Sequence, residues 1–124
     1  MLITRENIYA IRMVRALADN DVRPVREICD GEGIPHKWAY KILKKMERAG
    51  IVKAFYGVKG GYQLDKEISK ITMLDILSIN ESDLLISNNR HDLHTSKCAI
   101  NGEVIRLDDV IRSELRERTL DKVI

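Results

Sequence analysis

The sequence predicts a mainly α-helical fold with one small β-hairpin, on three observations. Between Ile34 and Ala49, the residues Ala39, Ile42, Leu43 and Met46 recur at the i, i+3, i+4, i+7 spacing of one helical face, while Lys37, Lys41, Lys44 and Arg48 fall on the opposite face. Directly behind this helix, the stretch Ile51 to Leu64 is strand-like at both ends and carries Gly57, Gly60 and Gly61 between them. Ahead of it, a short apolar-faced segment starting at Pro24 is interrupted by Gly31 and Gly33 just before Pro35. Helix, tight turn, helix and glycine-rich hairpin in that order outline a winged helix-turn-helix.

The other elements follow in chain order. Thr4 is the expected N-cap of a first helix over residues 5 to 19, with Ile8, Ile11, Val14, Leu17 and Ala18 as its apolar face. Pro24 starts the second helix, whose Val25, Ile28 and Cys29 face inward. Pro35 opens the third, where a missing amide donor costs nothing, and Gly50 ends it. In the hairpin Tyr62, Gln63 and Leu64 form the return strand, and Tyr56 and Lys59 lie at or near the tip. Thr72 with Asp75 is a capping-box pattern for a short helix through Leu77. From Ser87 to Lys97 only Leu93 is aliphatic, which reads as a mobile loop. Gly102 then precedes a last helix with an apolar stripe of Val104, Leu107, Val110, Ile111 and Leu115, and Arg106, Asp109, Arg112 and Arg116 outside it.

Composition narrows the function. The 124 residues, 44% hydrophobic and 32% charged, suit one small globular domain with an appended helix. The net charge of +2 hides an asymmetry: residues 1 to 64 hold 12 Lys/Arg against 7 Asp/Glu, residues 65 to 124 hold 9 against 12. Between Ile34 and Gly60 seven Lys/Arg face only Glu47, the electrostatic footprint of a nucleic-acid partner, though a solvated helix face produces the same run. The N-terminus lacks a signal-peptide apolar core and no stretch reaches 18 apolar residues, so the expectation is a cytoplasmic protein with no membrane partner. Two cysteines, Cys29 and Cys98, are too few for a disulfide scaffold and form no CxxC pair; reduced thiols are expected.

The segments AIRMVRALA, IPHKWAYKILKKMERAGIVKAFYGVKGGYQL and ITMLDIL, with the tail RTLDKVI, resemble the Rrf-two family of bacterial transcription regulators, the group of IscR, NsrR and CymR. The GxxGGYxL wing, Gly57 to Leu64, is the most specific element. The resemblance implies a bacterial, nucleoid-associated homodimer that binds operator DNA. Residues 1–80 would be the winged helix-turn-helix domain, 81–102 an effector or sensor loop, and 103–124 the dimerisation helix and tail. Many members hold an iron-sulfur cluster with three loop cysteines; here Cys98 stands alone in that loop, with His91 and His94 near it as an alternative metal or redox set. No cofactor is therefore assigned, and a small ligand or a partner protein is the other possible effector.

On helix three, His36, Lys37, Trp38, Tyr40 and Lys41 lie at the N-terminal end, where base edges are read, and Lys44, Lys45, Arg48 and Lys59 are placed for phosphates. Trp38 and Tyr40 are readable instead as packing on the helix-turn-helix core, Trp38 as readily as in a DNA contact. Nothing at informative spacing suggests a nucleophile with an oriented base, so no enzymatic activity is expected. The reading is a DNA-binding repressor; the alternatives are a metal sensor using Cys98, His91 and His94, and a winged helix used as a protein-interaction module.

Overall fold

The computed structural model describes residues 3–80 and 99–124, so the expectations placed on Ser87 to Lys97, and on His91, His94 and Cys98, lie outside the described residues. The elements are α1 (Arg5–Ala16), α2 (Val25–Glu32), α3 (His36–Arg48), β1 (Val52–Phe55), β2 (Gly61–Leu64), α4 (Met73–Leu77) and α5 (Ala99–Glu117), with 3-10 turns at Ile68–Lys70, Ser78–Asn80 and Leu120–Lys122. The mainly helical fold with one hairpin is as the sequence predicts.

Thr4 caps α1 as expected: its hydroxyl accepts the Asn7 amide, and the Asn7 side chain accepts the Thr4 amide in return. The helix is shorter than the sequence suggests. It ends at Ala16, Leu17 leaves helical geometry, and Asn20 takes φ +65° to turn the chain. Its inner face is also rotated. Asn7, Ala10, Met13, Val14 and Leu17 are buried, whereas Ile8 and Ala18 are exposed. The fixed point is Asn7, whose amide donates to the Ile76 carbonyl at 3.2 Å while its oxygen serves the cap, so a polar residue occupies the core line and Ile8 turns outward.

α2 buries Ile28 and Cys29 and stops at Gly33, which takes φ +66°; Gly31 lies inside the helix. α3 buries Ala39, Ile42, Leu43 and Met46 completely, the four residues its spacing nominates. Gly50 at φ +75° closes it with two bonds, Gly50 N–H to Glu47 O and Ile51 N–H to Met46 O, which satisfy two of the last carbonyls. Because Ile51 is pulled into the core by that closure, the chain enters β1 at a fixed angle.

β1 and β2 pair antiparallel with Val52 opposite Leu64 and Phe55 opposite Gly61. A third piece of backbone joins them: Arg23 and Tyr62 exchange both amide–carbonyl bonds at 2.9 Å, so the chain two residues before α2 pairs with the free edge of β2. The core gathers side chains from α1, α2, α3, both strands, Ile71, Ile76, Ile79 and, from the tail, Leu120. The tail is held by Leu120 N–H to Ile71 O and Met73 N–H to Arg118 O, each 2.8 Å. α5 packs on α4 and contributes no apolar side chain to the buried cluster. It starts at Ala99 and runs through Gly102, which the sequence reading sets ahead of the helix; an added Cβ there would meet nothing among the described residues.

Candidate nucleic-acid interface

With Ala39, Ile42, Leu43 and Met46 fixed inward, helical geometry puts Lys37, Lys41, Lys44 and Arg48 outward, and all four are exposed. Lys44 and Arg48 make no ion pair among the described residues. Lys37 and Lys41 flank the Trp38 ring, their ammonium groups 5.8 and 5.6 Å from its centroid. Trp38 itself is half-buried and packs against the core. Tyr40 is exposed. His36, at the N-terminus of α3, is exposed and contacts Asp30 of α2 at 3.1 Å.

Lys45 departs from expectation. Its ammonium donates to Glu6 Oε2 at 2.9 Å and to Asn80 Oδ1 at 2.8 Å, and its side chain is 23% exposed, against 56% for Lys41. It points along the α1 side of the helix, because position 45 lies about 100° from the outward line through Lys44. Glu6 uses its other oxygen on Lys41, at 3.1 Å. These contacts hold the Glu6 carboxyl below the ordinary glutamate value, the Lys45 hydrogen bond contributing most. Neither Glu6 nor Asn80 stood out in the sequence as a partner of Lys45. They are 39 and 35 residues from Lys45, and no local pattern signals a contact at that distance.

At the wing tip Tyr56, Val58 and Lys59 are exposed, and Lys53 lies over the Phe55 ring at 5.8 Å. The three wing glycines differ in purpose. Gly57 takes φ +104° in the turn, Gly60 sits where a Cβ would strike the Phe55 carbonyl, and Gly61 lies against Arg23 and Pro24 with no room for a side chain. Tyr62 is buried on β2; burial raises its phenol pKa first, with Glu47, Tyr56 and Tyr40 adding to the effect.

On α5, Leu107 and Val110 are exposed and Val104, Ile111 and Leu115 are half-buried. The buried position is Asp108, which accepts a 2.7 Å hydrogen bond from Arg112 one turn on. Arg112, read from sequence as an outward charge, is therefore drawn inward by a carboxylate.

The basic, outward face of α3 is joined directly to the glycine-rich wing. The family model described as "Iron-dependent Transcriptional regulator", Rrf2, matches residues 3–124. The chain belongs to the Rrf2 family. Protein aau3 of Rhizobium meliloti is 32% identical over 89 residues, 70% of this chain and 58% of that protein. A candidate HTH-type transcriptional regulator of Synechocystis is 34% identical over 87 residues, 68% of this chain and 59% of that protein. The matched stretch thus spans less than two thirds of either relative. Among solved structures, IscR of T. potens superposes with TM-score 0.76 at 20% identity, covering 99% of this chain and 85% of that one. CymR of B. subtilis does so with TM-score 0.74 at 22% identity, covering 99% and 95%. These likenesses show the winged-helix fold of the Rrf2 regulator.

The three-cysteine cluster set that the resemblance brings with it does not fit this chain, which has two cysteines. One of them, Cys29, is buried in the core on α2, where burial raises its thiol pKa and keeps it protonated.

Proposed function

We propose that this Rrf2-family regulator is a sequence-specific DNA-binding protein that acts without enzymatic chemistry, as a cytoplasmic homodimer and a repressor. α3 enters the major groove with its N-terminal residues His36, Lys37, Tyr40 and Lys41 toward base edges. Lys44, Arg48 and the wing-tip Lys59 take phosphates. A two-fold dimer places two such helices on successive major grooves, so the operator is a rough palindrome. The observation that carries the reading is α3: four fully buried apolar residues on one face, four exposed cations on the other, and a wing directly behind.

Binding to duplex DNA across a salt series tests it. Lys44→Ala and Lys59→Ala should each weaken binding on every duplex and flatten the slope of log Kd against log salt by about 0.9, the loss of one phosphate contact. Parental affinity and slope in both variants would remove this face from DNA.

A further inference from the structure

α3 carries five lysine and arginine side chains, and one carboxylate from another helix reaches two of them. Glu6 lies in the first turn of α1, a turn made rigid by the Thr4–Asn7 capping box and by the Asn7 bond to the Ile76 carbonyl. Its side chain is 19% exposed. One oxygen holds Lys41 and the other holds Lys45, which Asn80 secures from a further direction. Lys41 has the Glu6 carboxylate on one side and the Trp38 ring on another. Lys44 and Arg48, on the same exposed face, have neither.

We propose that Glu6 is a positioning residue for DNA recognition: it fixes the Lys41 ammonium in one place on the reading face and withholds Lys45 from DNA. The inference rests on the assignment of α3 to DNA. A free lysine gives up rotamer freedom when it reaches a base, and prior fixation removes that loss. A fixed ammonium also discriminates better, since a misplaced acceptor is not met by a simple rotamer change. Lys45, engaged by Glu6 and Asn80, is not offered to a phosphate, so it displaces no counterion from DNA and adds nothing to the salt dependence. Glu6 therefore sets both how many cations the helix offers and how sharply one of them is aimed.

The test uses the full chain and two probes: a mixed-sequence duplex of about three helical turns, and a duplex selected by the parent protein from a randomised pool. Lys45→Gln should keep the parental salt slope on the mixed duplex, in contrast to Lys44→Ala. Glu6→Gln should steepen that slope by about 0.9, one more phosphate contact. It should also shrink the preference for the selected duplex several-fold, and adding Lys45→Gln to it should restore the slope but not the preference. If Lys45→Gln flattens the slope as Lys44→Ala does, Lys45 is a phosphate contact and the proposal falls; that comparison stands even if Glu6→Gln fails to fold. Parental slope and preference in a folded Glu6→Gln protein would make Glu6 a brace between helices and nothing more. Should Lys44→Ala and Lys59→Ala also leave the slope unchanged, the assignment of α3 to DNA has failed first.

Discussion

Glu6 accepts from Lys45 through one oxygen and from Lys41 through the other, and this lowers its pKa below the ordinary value near 4.5, against a smaller opposing contribution from burial. The sign of the pH dependence follows. A carboxyl held lower in the folded than in the unfolded chain stabilises the fold fully above its unfolded pKa, and that contribution is lost as pH falls through the folded one. The melting temperature of the parent should exceed that of Glu6→Gln by a constant margin at neutral pH, and the margin should shrink below about pH 4.5. A margin that does not change down to pH 3 would mean the carboxylate is not what joins α1 to α3. None of this was legible in the sequence, where no local pattern links Glu6 to α3. Lys41 and Lys44 look equivalent by spacing, and only the fold separates a tethered cation from a free one. The core face of α3 was legible to the residue, because four apolar side chains at helical period have no other consistent arrangement. On α1 the same logic went wrong by one position. Ile8 outweighs Ala10 on any hydrophobic scale, yet Asn7 holds the inner line through its cap and its bond to Ile76.

Among the elements, the wing shows how a correct motif can conceal its mechanics. Glycines at Gly57, Gly60 and Gly61 announce a hairpin turn, and a hairpin is there. Gly61, however, is not in the turn: it begins β2, beside the Arg23–Tyr62 pairing, where a side chain would collide with the Arg23 carbonyl. Sequence reasoning had no access to Arg23, which lies 39 residues from Tyr62 and has no strand-like neighbours. The pairing ties the wing to the start of α2, so the wing cannot swing independently of the helix-turn-helix. Gly61→Ala should therefore lower stability by about 2 kcal/mol, as expected where a side chain forces apart close-packed backbone. Gly102→Ala, in a helical position with no described residue in its way, should gain roughly 0.5–1 kcal/mol. Urea denaturation of the two variants checks both signs. Equal effects would mean that the approach of β2 to Arg23 is looser than the geometry requires.

At the scale of the whole molecule, the charge asymmetry and the C-terminal helix belong to one arrangement. The basic half of the chain builds the α3 face and the wing, while the acidic half contains α5, a helix that adds no apolar side chain to the buried core. α5 does not place its apolar stripe squarely on α4. The buried centre of its inner side is Asp108, and at about 100° per residue Ile100, Leu107 and Val110 lie on the flank turned away from it. Those three are exposed, and they adjoin the half-buried Ile111. A helix whose apolar stripe is wider than its intramolecular contact has surface left for a second copy, and a two-fold axis along it would pair like with like. Val110 is the position to change, since it is more than half exposed and a charge there disturbs little of the monomer. Val110→Asp should keep the parental helical content and sediment as a monomer. It should also bind the selected duplex about a hundredfold more weakly, because the second half-site is no longer engaged at the effective concentration a dimer supplies. Binding to the mixed duplex should fall far less, since one domain keeps its phosphate contacts. A variant that remains dimeric with parental affinity would show that the exposed flank of α5 is not where two subunits meet.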